Sequence, residues 1–445
     1  MPLVFIHGVN TRNTDEDYAR GVAARRSMFE QLVVPTVVKK GFPNFAVAED
    51  IYWGNLGVNF GWHLRSIPET KILESLGPEG EAQQNLDVMQ LVLEAEPSSD
   101  AVEKLGPESP LVAAAKKDPA ALVRAIFAPE ADRFAPPELR PPTVGMTKSD
   151  VEKASSQGEH IGLILMAVDS LANDLEKQPG LIQAGTDNAV LEKIEEQVTE
   201  RYNKLAQAVL HAQTSSETEK LGGFGFGSAI GWAQGYLKKT INAAKKAAGF
   251  AVAETERGAT LALLKGARDG VSRRALRFLG DVFVYLHCGR TATPAINDCV
   301  RDGIQSLNGK KNDKGEREPF IVVTHSFGSE ILYDLLISGQ LKDVTIDLWV
   351  TAGAQTSLFA EMLLFADLPQ PLPPDTSKYT LGRPDNVKKW INFYDAADVL
   401  SYLHEPVFGA EAVKDIPVRA QANLTNAHGH YFVDPGFYEQ IAKEL

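Results

Sequence analysis

The stretch Pro319-Phe-Ile-Val-Val-Thr-His-Ser-Phe-Gly-Ser-Glu-Ile-Leu-Tyr-Asp334 leaves this chain few ways to fold. Phe320 to Val323 is a short apolar, β-branched run of the kind that fills the middle of a parallel sheet, and Ile331, Leu332 and Leu335 then recur at helical spacing. Thr-His-Ser-Phe-Gly therefore sits on a sharp strand-to-helix turn. A serine there takes a strained backbone conformation that lifts its hydroxyl clear of the sheet. The residues two before and two after it must be small, because strand and helix nearly touch. Gly328 meets that demand and Ser329 is small, whereas Thr324 stands where glycine is usual. Ser326 is the expected nucleophile.

A chain of 445 residues exceeds one small core, so two to three domains are expected, or one domain with a large insertion. Hydrophobic residues at 44% and charged residues at 23% are the composition of a globular protein. A net charge of −13 argues against a nucleic-acid binder. Cys288 and Cys299 offer neither a disulfide framework nor metal-ligand spacing, and no metal or organic cofactor is expected. The N-terminus reads as a working strand rather than a signal, and no run reaches the roughly 18 apolar residues of a membrane span. These features point to a cytoplasmic protein, or to an effector exported without an N-terminal signal.

Leu3 to Ile6 is an apolar strand that stops at His7-Gly8-Val9. A backbone N–H aimed at a developing oxyanion needs a glycine beside it so that the chain can pass close to the reacting atom. The Val9 amide is expected to be one such donor, with His7 supporting its loop, and the Phe327 amide the other. Tyr18 to Leu32 has helical periodicity, and Phe45 to Trp53 alternates like a second strand.

From about residue 70 to 275 the character is helical. Pieces at Leu86 to Ala95 and Pro119 to Phe127 precede two apolar stripes, Ile161 to Leu175 and Leu191 to Val209. Leu221 to Tyr236 alternates glycines with Phe224, Phe226, Trp232 and Tyr236, and Lys238, Lys239, Lys245 and Lys246 follow. Two readings stand: a flap making peripheral membrane contact through 221–250, or a close-packed helix pair, the commoner origin of an apolar helix face. After a helix over Arg274 to Leu286 and another over Pro294 to Leu307, strands are expected at Thr345–Val350, Lys389–Tyr394 and Ile416–Ala422, and a helix at Pro435–Glu444.

A serine becomes a nucleophile when a histidine takes its proton and a carboxylate holds that histidine. Asp395 and Asp398 follow the strand Lys389–Tyr394, and His428 and His430 lie beyond the last strand, so the candidates run Ser, Asp, His. Asp398, followed by Val399-Leu400, is favoured over Asp395, and His428, in His-x-x-Tyr-Phe, over His430. His325 should point away from the site. His63, His160, His211, His287 and His404 read as surface or structural histidines, and Asp281 as a structural support for loops.

With Ile6-His-Gly-Val, Tyr52-Trp-Gly54, Gly280-Asp-Val-Phe-Val-Tyr285, the Ser326 turn, Asn392-Phe-Tyr-Asp-Ala-Ala-Asp-Val and His428-Gly-His-Tyr-Phe432 together, the chain resembles the α/β-hydrolase superfamily. It looks similar to its lipase-like bacterial members, among them class 3 lipases and intracellular phospholipase-like enzymes. The resemblance covers 1–70 and 276–445 and implies an α/β-hydrolase core with a mainly parallel sheet, 71–275 being a helical insertion or cap. It implies a serine ester hydrolase of the carboxylesterase or lipase type, with Ser326, Asp398 and His428 as triad and an ester or lipid as substrate. A catalytically silent scaffold used for binding, and an effector or defence hydrolase restrained by an unknown protein partner, are the other readings left open.

Overall fold

The computed structural model describes residues 2–9, 11, 16–61, 110–127, 148–215, 226–255, 276, 278–290, 295–311, 315–368, 379–418 and 427–445. The segment Leu86 to Ala95 and His63 lie outside them. Five strands, β1 Leu3–Ile6, β2 Ile321–His325, β3 Leu348–Ala352, β4 Trp390–Tyr394 and β5 Lys414–Pro417, form one sheet in the order β1-β2-β3-β4-β5. Every pairing is parallel, from Leu3 opposite Ile321 to Ile391 opposite Lys414. Parallel neighbours cannot be joined by a tight turn, so helices must cross between them.

In chain order those helices are α1 Glu16–Leu32, α2 Val34–Lys39, α3 Pro110–Lys117, α4 Pro119–Phe127, α5 Lys148–Lys177, α6 Asp187–Ser215 and α7 Phe226–Thr255. There follow α8, 278–284, running into a π-helical turn at Tyr285–Gly289, then α9 Ile296–Leu307, α10 Gly328–Ile337 and α11 Thr356–Glu361. The short α12 Glu405–Phe408 and α13 Ala427–His430 precede the closing α14 Pro435–Glu444.

The two-residue repeat of a strand sorts its side chains between two cores. Leu3, Phe5, Ile321, Val323, Val350 and Phe393 face α1 and α14, against Met28, Phe29, Phe437 and Ile441. Val4, Ile6, Val322, Trp349 and Trp390 face the crossover helices, against Val300, Ile304, Ile331, Leu335, Phe359 and Phe408. Trp349 and Trp390 stack at 4.4 Å between ring centroids, which fixes the register of β3 on β4. A third core lies among α3 to α7, where the stripe residues Ile164, Leu171, Leu191, Ile194 and Val198 meet.

Three expected strands differ from those observed. Phe45 to Trp53 does not form a ladder. It makes two isolated parallel bridges beside β1, Leu3 with Val47 and Ile6 with Ile51. Four steps on one chain against three on the other break the register, so alternation survives without a continuous strand. The strand expected over Thr345–Val350 instead spans Leu348–Ala352, with Ile346 bridged to Val387. The last strand lies at Lys414–Pro417, earlier than Ile416–Ala422, whose residues past 418 lie outside those described.

Trp232 and Tyr236 stack on each other at 5.2 Å, and Tyr236, Leu237 and Ile241 are buried in the helical core. Lys238, Lys239 and Lys245 point outward. The described part of α7 thus spends its apolar face on neighbouring helices; Phe224 and the side chain of Phe226 lie outside the described residues. Among the described residues no helix is long and apolar enough to cross a membrane.

The π-helical turn is tied to the helix that follows the serine. Asp334 on α10 accepts from the Tyr285 hydroxyl at 2.6 Å and from Arg290 Nε at 2.8 Å, while Arg290 also donates to the Leu364 carbonyl. Asp334→Ala would leave the Arg290 guanidinium without its carboxylate and the buried Tyr285 hydroxyl with Asn297 Oδ1, at 2.9 Å, as its remaining acceptor. The expected cost is about 2–3 kcal/mol, read as a lower urea midpoint at unchanged slope; an unmoved midpoint would show the network to be dispensable.

Candidate functional site

The site lies beyond the carboxyl ends of β1, β2, β3 and β4. In a parallel sheet all strands point the same way, so the loops that leave their ends gather along one edge. Ser326 follows β2 directly with φ of 48°, one of two non-glycine residues described at positive φ. Such a conformation costs of order 1–3 kcal/mol and persists only where neighbours enforce it. Here the Ser326 amide donates to the Ala352 carbonyl at 2.9 Å, and its own carbonyl accepts from the Ser329 amide at 2.9 Å.

The β1 end crosses tightly over this turn. A Cβ on Gly8 would stand 2.7 Å from the Ser326 Cβ, and one on Gly328 would stand 2.6 Å from the His7 carbonyl oxygen. Thr324, the off-pattern residue, keeps its place because its hydroxyl is fully engaged. It pairs with Ser329 Oγ at 2.8 Å, accepts from Trp349 Nε1 at 3.0 Å and donates to the Val350 carbonyl at 3.2 Å.

Three side chains from separate loops meet. His428 on α13 places Nε2 2.8 Å from Ser326 Oγ and Nδ1 2.9 Å from Asp398 Oδ2. The same Asp398 oxygen accepts from the Tyr431 hydroxyl at 2.9 Å, and Oδ1 accepts from the Leu400 amide at 2.9 Å. Burial works to raise the Asp398 pKa. The charge and hydrogen bond of His428, with the Leu400 and Tyr431 donors, outweigh it and hold the carboxyl below its ordinary 3.8. Asp395 is turned elsewhere: its Oδ1 accepts from the Ala397 amide, two residues on, at 2.8 Å. His430 ends the same helical turn as His428, but the bonds to Ser326 and Asp398 are those of His428.

Val9 and Phe327 flank the serine, Val9 next to the Gly8 contact and Phe327 immediately before α10. Among the described residues neither amide donates to a backbone carbonyl. His7 fixes the first of them indirectly. Its Nε2 accepts from the Trp53 amide at 3.0 Å, so Nδ1 carries the proton and donates to the Gly8 carbonyl at 2.6 Å. Carbonyl and N–H of one trans peptide point in opposite directions, so gripping the Gly8 oxygen aims the Val9 N–H. Trp53 clamps His7 further, stacking at 5.0 Å and donating from Nε1 to the His7 carbonyl at 2.8 Å.

Several participants carry little sequence signal. Gly353, after β3, has φ of 57°, and a Cβ there would stand 2.9 Å from the Tyr431 ring, 3.1 Å from Asp398 Oδ2 and 3.2 Å from His428 Nδ1. Gln355 Nε2 donates to the Gly353 carbonyl at 2.6 Å and to the Leu400 carbonyl at 2.5 Å, holding the aspartate loop to the β3 loop. Gln355 is itself held through its amide by Glu330 Oε1 at 2.8 Å, whose carboxyl burial pushes up to about 8. His325 turns away from the serine pocket as expected, yet it does not leave the site: its ring lies against that of His428. The serine came from a local turn pattern; Gly353 and Gln355 act across strands, and only pairing reveals them.

The remaining histidines are dispersed. His160 pairs with the Tyr202 hydroxyl at 2.7 Å and His404 is buried beside Trp390, while His211 and His287 are exposed. Asp281 accepts from the Val58 amide at 2.6 Å. Among the described residues no group of three or more His, Cys, Asp or Glu side chains is placed to hold a metal ion.

Because the folded Asp398 pKa is depressed, its stabilising contribution is full above the unfolded value near 3.8 and is lost as pH falls through the folded value. Asp398→Asn should therefore be less stable than the parent at pH 7, with the difference shrinking as the medium is acidified below pH 4. Urea midpoints at both pH values read this directly, and a gap that stays constant would place the loss in packing rather than charge.

A hydroxyl, an imidazole and a carboxylate in this order can move a proton off the hydroxyl while the carboxylate steadies the imidazolium. No family model matches the chain, and no curated protein and no solved structure matches it either.

Proposed function

We propose that this chain is a serine hydrolase with an α/β-hydrolase core, cleaving carboxylic esters through an acyl-enzyme. The observation that carries the reading is the continuous chain from Ser326 Oγ to His428 at 2.8 Å and on to Asp398 at 2.9 Å, with the serine held at positive φ. A turn of that strain is costly to keep for structure alone.

On this reading Ser326 Oγ attacks the acyl carbon as His428 Nε2 takes its proton. The tetrahedral oxyanion lies against the Val9 and Phe327 amides, the second at the start of α10, where unpaired N–H groups and the helix dipole favour negative charge. The C–O bond to the alcohol breaks as His428 returns the proton to it. Water, deprotonated by the same imidazole, then attacks the acyl carbon and releases the acid and Ser326. Asp398 stays ionised throughout and holds the imidazole in the tautomer with Nε2 free to accept.

An apolar, lipid-like acyl group is the substrate class this proposal favours. Val399 and Leu403, which follow Asp398 in sequence, are 69% and 46% exposed and are the apolar side chains proposed to meet it. The helical stretch 71–275, whose described helices are α3 to α7, is the proposed cap, and within 221–250 the exposed Lys238, Lys239 and Lys245 of α7 are the proposed contact with a lipid surface.

A fluorophosphonate probe should label the folded protein at Ser326 and fail to label Ser326→Ala. On acyl p-nitrophenyl esters, Ser326→Ala, His428→Ala and Asp398→Ala should each lose ~10³-fold or more in kcat, while Asp395→Ala and His430→Ala lose far less. Absence of labelling on folded protein would overturn the hydrolase reading and leave a binding scaffold.

A further inference from the structure

We propose that His325 is a positioning residue for the base, its Nε2–H holding the main-chain carbonyl of His428 so that the nucleophile's own strand fixes the histidine that serves it. The proposal rests on the serine-hydrolase reading and adds to it a fourth side chain. Strand alternation sends His325 to the same face of β2 as Ile321 and Val323, away from the Ser326 hydroxyl. On that face its Nε2 lies 2.8 Å from the His428 carbonyl oxygen. A carbonyl only accepts, so this nitrogen carries the proton and the tautomer is set.

The ring is enclosed as well as bonded. Its centroid lies 4.8 Å from that of His428 on one side and 5.0 Å from that of Phe432, edge-on at 87°, on another. Burial, and then the neighbouring His428, push its pKa down to about 3, so it stays a neutral donor over the whole working range.

The need for such a hold follows from where His428 sits. Helix α13 has four residues, too few to stabilise itself by its own hydrogen bonds. Contacts to Ser326 and Asp398 fix the imidazole, but the main chain beneath it needs its own anchors. Tyr431 provides one, its hydroxyl meeting Asp398 and accepting from the Asp395 amide at 3.1 Å. His325 provides the other, directly behind the base. Together they close a ring of bonds: Ser326 to His428, His428 to Asp398, Asp398 to Tyr431, and His428 back to His325 beside the serine.

The test compares His325→Phe, which keeps a ring and loses the donor, with His325→Gln, whose Nε2 reaches a similar position as a neutral donor. Fluorophosphonate labelling rates at Ser326, kcat and KM on a short p-nitrophenyl ester, and Tm are measured on both and on the parent. We expect His325→Phe to lose on the order of 10–100-fold in kcat at unchanged KM, the scale of a small misplacement of a reacting group, and His325→Gln to recover most of it. Nitrogen-15 NMR of the parent should show one histidine, assigned by its loss in His325→Gln, fixed as the neutral Nε2–H tautomer from pH 5 to 9. Parental kcat in His325→Phe, a His325→Gln loss as deep as that of His325→Phe, or a His325 ring that titrates in that range or protonates at Nδ1 would each overturn the proposal. Should His325→Phe fail to fold, His325→Gln and the NMR tautomer still decide it. A parent that does not label at Ser326 would overturn the hydrolase reading itself, whereas a labelled parent with an unaffected His325→Phe overturns this inference alone.

Discussion

The structure depends on the backbone conformation of one residue. Ser326 holds φ at 48° because a strand end, a helix start and a crossing loop meet within van der Waals contact there. The neighbouring chain can approach so closely only because Gly8 and Gly328 lack side chains at the crossing, and Thr324 is tolerated only because three partners take up its hydroxyl. With the turn in place, the amides on either side of the serine and the hydroxyl itself share one small volume. The order of the parallel sheet then brings the β3 and β4 loops alongside, and with them Gly353, Gln355 and Asp398.

Much of the sheet was legible from short apolar runs, because a strand buried on both faces writes itself into sequence without help from its partners. Leu3–Ile6, the run into Ser326 and Trp390–Tyr394 all read this way. Phe45 to Trp53 read equally well and yet forms only two bridges, since alternation reports burial of a face and says nothing about whether two chains keep step. The β3 boundary moved for a related reason: Thr351 and Ala352 look like the start of a turn, but Thr351 Oγ1 is bonded to Asn392 Oδ1 at 2.8 Å in the interior of the ladder.

At the site the same division holds. Ser326, Asp398 and His428 each sit in a local pattern of a few residues, so sequence could nominate them, and the structure brings these three into one chain of hydrogen bonds in preference to Asp395 and His430. Gly353 could not be nominated, because what forbids a side chain there is the position of Tyr431, Asp398 and His428, residues from two other loops. His325 shows the same limit from the other side. Strand alternation correctly turned it from the serine, but nothing in the sequence says that the far side of β2 is where the His428 main chain passes.

The pairing of Leu3 with Ile321 joins residues separated by most of the chain, whereas β2 through β5 are linked by much shorter connections. Closing so long a loop carries the largest loop-closure cost of any pairing in the sheet, and non-local pairings of that kind slow folding. The strip from β2 to β5 can therefore pair before β1 docks, but the Ser326 turn is complete only once the β1 end crosses it. Only docking brings Gly8 against Ser326 and the Val9 amide into place. A local opening that releases β1 alone would therefore undo the crossing at Ser326 while leaving the pairing of β2 to β5 in place.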